Sequence, residues 1–331
     1  MPLRKTETRI PDGFAATDLG EAFVAADGKC ALVSFITSPL VVNRENTYVV
    51  FVTDAGLAAQ ADSFEWSFTE NGGTPTTQST EVGETFYSPV STGILSTSVR
   101  ILDGSSTEQA NLAMTQAITS LNPGLEAFIA AAGDQPGPGA SDPDVSRELV
   151  NDLNPYYQAV TLPTPEAGDA FQQFVFSMTM TGASERTPDV RKQLVEDLAQ
   201  ALDSAATDDF TTLTAEGVGA CGIRLQLLAM MPPTGAPLLP WTELPQAASQ
   251  NAYADEQLRQ KLAASDASTL IDLFNLARFP KSNITQCGRI LAALRDHYFS
   301  GASFSDVLTG MSGTRAYWIV MHFNQGPVST S

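Results

Sequence analysis

The residues with the clearest potential for chemistry lie around a run of glycines in the second half of the chain. Gly217, Gly219 and Gly222 have the G-x-G-x-x-G spacing of a dinucleotide-binding turn, and an apolar run follows them. Such a turn needs a parallel strand in front of it, so that the amides at a helix start meet a pyrophosphate. Residues 208–216 have a poor strand pattern, and prolines follow the apolar run. We therefore expect no cofactor here and interpret the glycines as a tight turn into a helix.

The same region resembles the lytic transglycosylases of the lysozyme superfamily. Gly219 to Ile223 and Met231 to Gly235 are similar to that family's Gly-Ala-x-Gly-Leu and Met-Pro-x-Thr elements, and Glu216 lies just upstream. The resemblance implies a glycosidase with Glu216 as its acid, a role that requires a partly buried carboxyl group. Two departures are plain, because Glu216 lies much closer to these elements than the family's catalytic glutamate does and the expected glutamine is absent.

The cysteines and histidines are the remaining candidates for nucleophiles and metal ligands. Cys30, Cys221 and Cys287 are far apart in the sequence, and the only histidines are His297 and His322. This spacing disfavours a disulfide framework and predicts no metal site. A hydrolase that pairs Cys221 or Cys287 with a histidine remains open, although Cys287 falls on the apolar face of a predicted helix, as inert buried thiols do.

A short segment between two predicted helices is a candidate interaction site. Arg278 and Lys281 flank Phe279 and Pro280, in a chain that is otherwise poor in positive charge. One interpretation is a helix corner that a proline ends and a new cap restarts. The other is a docking corner, because exposed Phe and Arg side chains are typical anchors of protein interfaces. Arg278, Phe279 and Lys281 are therefore the interaction candidates.

The composition limits the classes of partner. The chain has 331 residues, 37 acidic against 18 basic residues and a net charge of −19. Such an acidic surface repels phosphate backbones and anionic lipid surfaces, so we expect no nucleic-acid partner. No apolar run is long enough for a transmembrane helix, and the N-terminal residues do not form a secretory signal. These features predict a protein without membrane insertion that assembles in the cytoplasm.

The first third of the chain has the pattern of an antiparallel β-structure. Runs with a two-residue period occur between residues 21 and 118, bounded by Gly, Asn, Asp and Pro. Residues 30–36 and 47–53 are rich in Val, Phe and Ile, and residues 63–70 alternate strictly. Phe64, Trp66 and Phe68 should therefore face one core. Short strands at this spacing predict a sandwich or barrel.

These strands also resemble the PKD family of immunoglobulin-like domains. The resemblance rests on residues 64–68 and 70–73 and on the segment from Thr92 to Ile101 with Asp103 and Gly104. Asn71-Gly72 replaces the family's Asp-Gly turn, and Leu95 stands near the position of the usual tyrosine. The resemblance covers under a third of the chain and implies an immunoglobulin-like sandwich that serves adhesion, spacing or display.

After a Pro- and Gly-rich linker the period becomes helical. We predict an N-terminal extension (1–20), a PKD-like β-sandwich (21–118), a linker with a short helix (119–144), an α-helical domain (145–325) and a C-terminal tail (326–331). Helices are expected at 145–160, 166–180, 187–202, 220–231, 253–264, 267–278, 283–299 and 314–323, with Ser282 as the cap of the 283–299 helix.

Two functions follow as expectations. The first is a non-catalytic structural protein, an assembly or display component of a larger particle that can be released from the cell. The helical half is loosely similar to proteins of phage-tail-like contractile injection systems. The alternative is a cell-wall-acting enzyme with Glu216 as acid and the sandwich as a targeting module. The expected partners are proteins or a particle, with a cell-surface polysaccharide as a further ligand class.

Overall fold

The computed structural model describes residues 9–120, 156, 170–183, 217–238, 260–262, 264–309 and 314–325. These residues fall into two compact units. The first unit contains the described residues up to 120 together with 279–281, and the second contains the other described residues from 156 onward. Most of the predicted linker and the whole predicted helix at 187–202 lie outside the described residues.

The first unit is built from nine strands in two sheets. The elements in chain order are α1 (Ala16–Leu19), β1 (Glu21–Val24), β2 (Cys30–Ser34), β3 (Leu40–Val41), β4 (Asn46–Val52), α2 (Ala55–Gln60), β5 (Ser63–Glu70), β6 (Thr76–Thr80), β7 (Glu84–Tyr87), β8 (Gly93–Leu102) and β9 (Glu108–Thr119). One sheet has the strand order β1-β2-β4-β7, and the other has the order β3-β9-β8-β5-β6. All neighbouring strands are antiparallel except β3 and β9, which are parallel.

The alternation in β5 determines how the first core forms. Phe64, Trp66 and Phe68 are each at most 1% exposed, as predicted, because successive residues of a strand point to opposite faces. The ring of Tyr48 in β4 lies 5.4 Å from the ring of Phe68, so side chains of both sheets meet in this core. The indole Nε1 of Trp66 donates a hydrogen bond to Oγ1 of Thr80 at 2.9 Å, which satisfies its polar atom.

A buried polar network also joins the two sheets. Nε2 of Gln116 in β9 donates hydrogen bonds to Oε2 of Glu21 (2.7 Å), Oγ of Ser34 (3.1 Å) and the carbonyl oxygen of Ile36 (3.0 Å). The hydroxyl of Tyr48 donates to Oε1 of Gln116 at 3.0 Å, and burial raises the pKa of that hydroxyl. Since buried polar atoms without partners are destabilising, this network fixes how the strands of the two sheets face each other.

The second unit is helical. Among the described residues its helices are α3 (Ala170–Ala183), α4 (Leu225–Met230), α5 (Ala267–Arg278), α6 (Pro280–Tyr298), α7 (Phe304–Thr309) and α8 (Thr314–Gln325). Their apolar positions recur at three- and four-residue spacing, as in α6, where Ile284, Cys287, Leu291 and Leu294 are fully buried. The predicted helices at 267–278 and 314–323 are confirmed. The helix predicted at 220–231 occupies only Leu225–Met230, because the glycine turn comes first.

The start of α6 corrects one prediction. The helix begins at Pro280, so Ser282 lies inside its first turn and is not its cap. Proline is favoured at the first position of a helix, because its fixed φ suits the helix and its missing N–H would be unpaired there in any case. The described chain is thus a mixed β and α protein, with the sheets in one unit and the longer helices in the other.

Candidate functional site

The glycine-rich segment forms a closed turn. Val218 and Ile223 form an antiparallel bridge, with hydrogen bonds of 2.8 Å from the amide of Val218 and 3.0 Å from the amide of Ile223. Gly219 and Gly222 have φ angles of 72° and 65°, in the left-handed region that other residues rarely adopt. Gly219 and Gly222 are therefore required by the backbone of the turn itself. Glu216, the acid of the alternative enzyme hypothesis, lies outside the described residues, and its role stays a prediction.

The side chain of Asn283 in α6 occupies the inner side of this turn. Its Oδ1 accepts a hydrogen bond from the amide of Cys221 at 2.7 Å. Its Nδ2 donates to the carbonyl oxygens of Val218 (2.9 Å) and Ala277 (2.6 Å). A bound pyrophosphate would need free backbone amides at such a turn, and the amide of Cys221 is already used. The contacts support the structural interpretation of the glycine motif, in which the turn holds α5 and α6 together.

Two cysteines meet beside this turn. Both thiols are buried, and burial, followed by the neighbouring thiol of Cys221, raises the pKa of Cys287. Their exposed fractions are 2% and 0%. His297 lies ten residues after Cys287 on α6, a separation of about 15 Å along a helix. A nucleophile and its base must be within hydrogen-bond reach, so the pairing of Cys287 with His297 does not occur.

Both histidines instead lie against one tyrosine. The ring of His322 stacks on the ring of Tyr298 at 4.4 Å, and His297 meets the same ring edge-on at 4.6 Å. Trp318 lies 5.1 Å from His322 and 6.4 Å from Tyr298, measured between ring centroids. These four side chains form an aromatic cluster on α6 and α8. Within the described residues, no group of three or more His, Cys, Asp or Glu side chains could hold a metal ion.

The predicted interaction corner is largely buried. Arg278 is 7% exposed, its Nε donates to Oδ1 of Asn275 at 2.9 Å, and its guanidinium lies 5.6 Å from the ring centre of Phe274. This arrangement differs from the exposed Arg that the sequence suggested, because the side chain packs back along its own helix.

The other two residues of the corner belong to the first unit. Phe279 is fully buried, with its ring 4.4 Å from that of Phe35 and 5.6 Å from that of Phe51. Nζ of Lys281 donates a hydrogen bond to the carbonyl oxygen of Thr17 at 2.5 Å. Phe279 is therefore a core residue of this unit. Binding of a partner through Arg278, Phe279 and Lys281 stays a prediction.

The outer face of α8 is an exposed apolar surface. Tyr317 is 68% exposed and Trp318 is 37% exposed, and both are large side chains that proteins usually bury. Val320 and Met321, three and four residues after Tyr317, are only partly buried and continue the same face. The opposite face of the helix is fixed in the core of the unit by Ile319, His322 and Phe323, each at most 2% exposed. We call Tyr317, Trp318, Val320 and Met321 the α8 face.

The charge around this face is unusual for the chain. α8 contains Arg315 and no carboxylate, and no Asp or Glu follows Asp306 in the sequence. The chain otherwise has about two acidic residues for each basic one. The absence of Asp and Glu from the sequence around the adjacent pair Tyr317 and Trp318 is the signal that could have identified this surface. It was missed because the apolar period of the helix does not reveal which of its faces is covered.

Two clefts lie on the first unit. One has a volume of about 610 Å³ and the other of about 430 Å³. The guanidinium of Arg100 lies in the smaller cleft, where its Nε donates to Oε2 of Glu65 at 3.2 Å, so its charge is already balanced. The hydroxyl and amide side chains that line the smaller cleft suit a hydroxylated ligand. A polysaccharide ligand stays a prediction. The other side chains that line the smaller cleft are Trp66, Ser67, Thr77, Gln78, Ser79, Ser98 and Asn111.

Two expectations remain, one about membrane insertion and one about family membership. Of the helices in the described parts of the chain, none is long and apolar enough to cross a membrane. Comparisons of the chain with protein-family models, with curated proteins and with solved structures found no match.

Proposed function

We propose that this chain is a non-catalytic structural protein that serves as an assembly or display component of a larger particle. The observation that carries the proposal is the α8 face, where Tyr317 and Trp318 are exposed on a helix whose other side is anchored in the core. Aromatic side chains of this kind are enriched among the residues that dominate binding energy at protein interfaces. Trp318 is also held by the rings of His322 and Tyr298, so little side-chain freedom is lost on binding.

The charge of the chain favours a protein partner at this face. A net charge of −19 opposes close approach of any acidic protein, and this repulsion is smaller at α8, which has no Asp or Glu of its own and whose Arg315 interacts electrostatically with Asp306. Arg315 on the same helix adds a positive group. The partner that fits is a protein subunit with an apolar surface bordered by acidic side chains.

In this proposal the first unit is an interaction module. Its proposed fold is immunoglobulin-like and PKD-like. Nine strands in two contacting sheets agree with such a fold. Two of the segments on which the PKD resemblance rests are also in contact. Oδ1 of Asn71 accepts a hydrogen bond from the amide of Ile94 at 2.9 Å, and a Cβ on Gly93 would lie only 1.9 Å from that same oxygen.

The proposed particle is assembled in the cytoplasm and then released from the cell. A phage-tail-like contractile injection system is a particle of this kind. Display modules on such a particle need a stable two-sheet unit, and attachment to it needs a separate docking face. The proposal places display in the first unit and attachment on the α8 face. It rests on the α8 face and on the resemblances stated above.

The direct test is sedimentation of the full chain from the cells in which its gene occurs. We expect the tagged chain to sediment with a large particle in constant stoichiometry, and recovery only as a free 35.2 kDa chain would contradict the proposal. A cell-wall clearing assay of the purified chain tests the alternative. Clearing that the Glu216→Gln variant loses would show an enzyme instead.

A further inference from the structure

The pair of thiols beside the glycine turn has no part in the proposed docking function. Asn283 and Cys287 are four residues apart on α6, so their side chains lie on the same face of that helix, about 5–6 Å apart at Cβ. Oδ1 of Asn283 accepts the amide of Cys221 at 2.7 Å. The hydrogen bond therefore holds the backbone of Cys221 against the residue that lies one helical turn before Cys287, and neither cysteine is in a disulfide.

We propose that Cys221 and Cys287 are a site of oxidative modification, at which a hydroperoxide joins them in an intramolecular disulfide. The geometry favours this product because the Asn283 bond keeps the two residues together before any reaction. The disulfide would tie the glycine turn covalently to α6, in addition to the hydrogen bonds of Asn283.

The reaction balances in two steps. The sulfur of Cys221 attacks the peroxide oxygen, the O–O bond breaks, and the released oxygen takes up the thiol proton and leaves as water or alcohol. Cys221 is thereby oxidised to a sulfenic acid. The sulfur of Cys287 then attacks the sulfur of Cys221, the S–O bond breaks, and hydroxide leaves as water with the proton of Cys287.

The order of these steps follows from burial. Burial and the neighbouring thiol raise the pKa of Cys287, so this residue stays protonated and reacts slowly with a peroxide of its own accord. Both residues are buried, but Cys221 lies on the turn, whereas Cys287 lies inside α6. Local opening of the turn therefore exposes Cys221 first.

The test uses the full-length protein and hydrogen peroxide. Remaining thiols are alkylated, the protein is digested without reductant, and the peptides are mapped by mass spectrometry. We expect one linked species that joins the Cys221 and Cys287 peptides, two hydrogens lighter than their sum, at a rate independent of protein concentration. The count of alkylated thiols should fall from three to one.

Cys30 is the internal control, since it is also 2% exposed and burial raises its pKa as well. It should remain alkylated, and the Cys30→Ala variant should form the same link at the same rate. Methionine sulfoxide in the same digest shows that the peroxide has acted. Methionine oxidation without the link, a link to Cys30, or sulfinic acid at Cys221 in place of the link would each overturn the proposal. The wild-type measurement decides the matter even if a cysteine variant folds poorly.

Discussion

Asn283 and Cys221, which are 62 residues apart in the sequence, are joined by a buried hydrogen bond of 2.7 Å from the amide of Cys221 to Oδ1 of Asn283. Nδ2 of Asn283 donates hydrogen bonds to the carbonyl oxygens of Val218 and Ala277, so both polar atoms of this side chain are hydrogen-bonded. Because the bonds reach the turn before α4 and the end of α5, this residue connects three segments of the second unit.

Replacing Asn283 by Asp should therefore destabilise the second unit. The carboxylate can still accept the amide of Cys221, but it cannot donate to the carbonyl oxygens of Val218 and Ala277. The carbonyl oxygen of Ala277 then loses this donor, while that of Val218 keeps the amide of Ile223 as its donor, so the free energy of unfolding should fall by about 1–3 kcal/mol in urea titrations. Asn324 is exposed on α8, and Asn324→Asp is the matched control, with a change within about 0.5 kcal/mol. Equal effects of the two variants would contradict the role of Asn283.

Gly219 should tolerate alanine much less well than Gly235. The φ angles of the two glycines are 72° and 78°, so the backbone penalty of about 1 kcal/mol is common to both. A Cβ at Gly219 would lie 2.0 Å from the carbonyl oxygen of Ala277, whereas a Cβ at Gly235 meets nothing within 4 Å. We expect Gly219→Ala to lose roughly 3 kcal/mol or more in urea unfolding. If the two variants had the same midpoint, the close packing of the turn would be disproved.

The stability of the first unit should fall in acid because of Glu70. Burial raises the pKa of this carboxyl group, but hydrogen bonds from Ser91, Val90 and Tyr87 outweigh burial and lower the pKa below its ordinary value. The carboxylate therefore stabilises the fold above the pKa of the unfolded chain. That contribution is lost as the pH falls through the lower, folded-state pKa, roughly between pH 5 and pH 3.

The comparison of wild type with Glu70→Gln measures this contribution. Melting temperatures are recorded from neutral pH to acid, and hydrogen exchange of β5 amides identifies the transition of the first unit. Wild type should lose more stability in the acid range than Glu70→Gln does, while the exposed carboxylate control Glu81→Gln should behave as wild type. Parallel curves for wild type and Glu70→Gln would show that the hydrogen bonds to this carboxylate do not depend on its charge.

The sequence predicted the central strands better than the edge strands. The alternation of Phe64, Trp66 and Phe68 identified β5 because one face of that strand must be buried. Strand β6 (Thr76–Thr80) lies at the edge of its sheet, and it contains no apolar residue and no buried residue. Its pairing with β5 comes from backbone hydrogen bonds, which any residue except proline can make, so no side-chain pattern marked it.

The candidate surfaces were harder to predict for a related reason. A large apolar residue between two helices, such as Phe279, is compatible with either an exposed anchor or a core position, and only the fold shows that Phe35 and Phe51 surround it. The contact of Asn283 with the glycine turn depends on residues that are distant in sequence. The α8 face was hidden because its exposed aromatic residues continue the apolar period of a helix that is buried on the other side.

The central claim is that the α8 face attaches this chain to a larger particle, and co-sedimentation of the Tyr317→Ser and Trp318→Ser double variant tests it most directly. The single variant Tyr317→Ser is the control for misfolding, because a residue that is 68% exposed contributes little to the fold. Val90→Ser is the control for the loss of an exposed apolar residue elsewhere. Circular dichroism of each free variant should match that of wild type. We predict that the double variant loses at least tenfold in particle-bound fraction, the single variant less, and Val90→Ser nothing, as expected for interface anchors worth about 1–2 kcal/mol each. Undiminished incorporation of a correctly folded double variant would contradict the account.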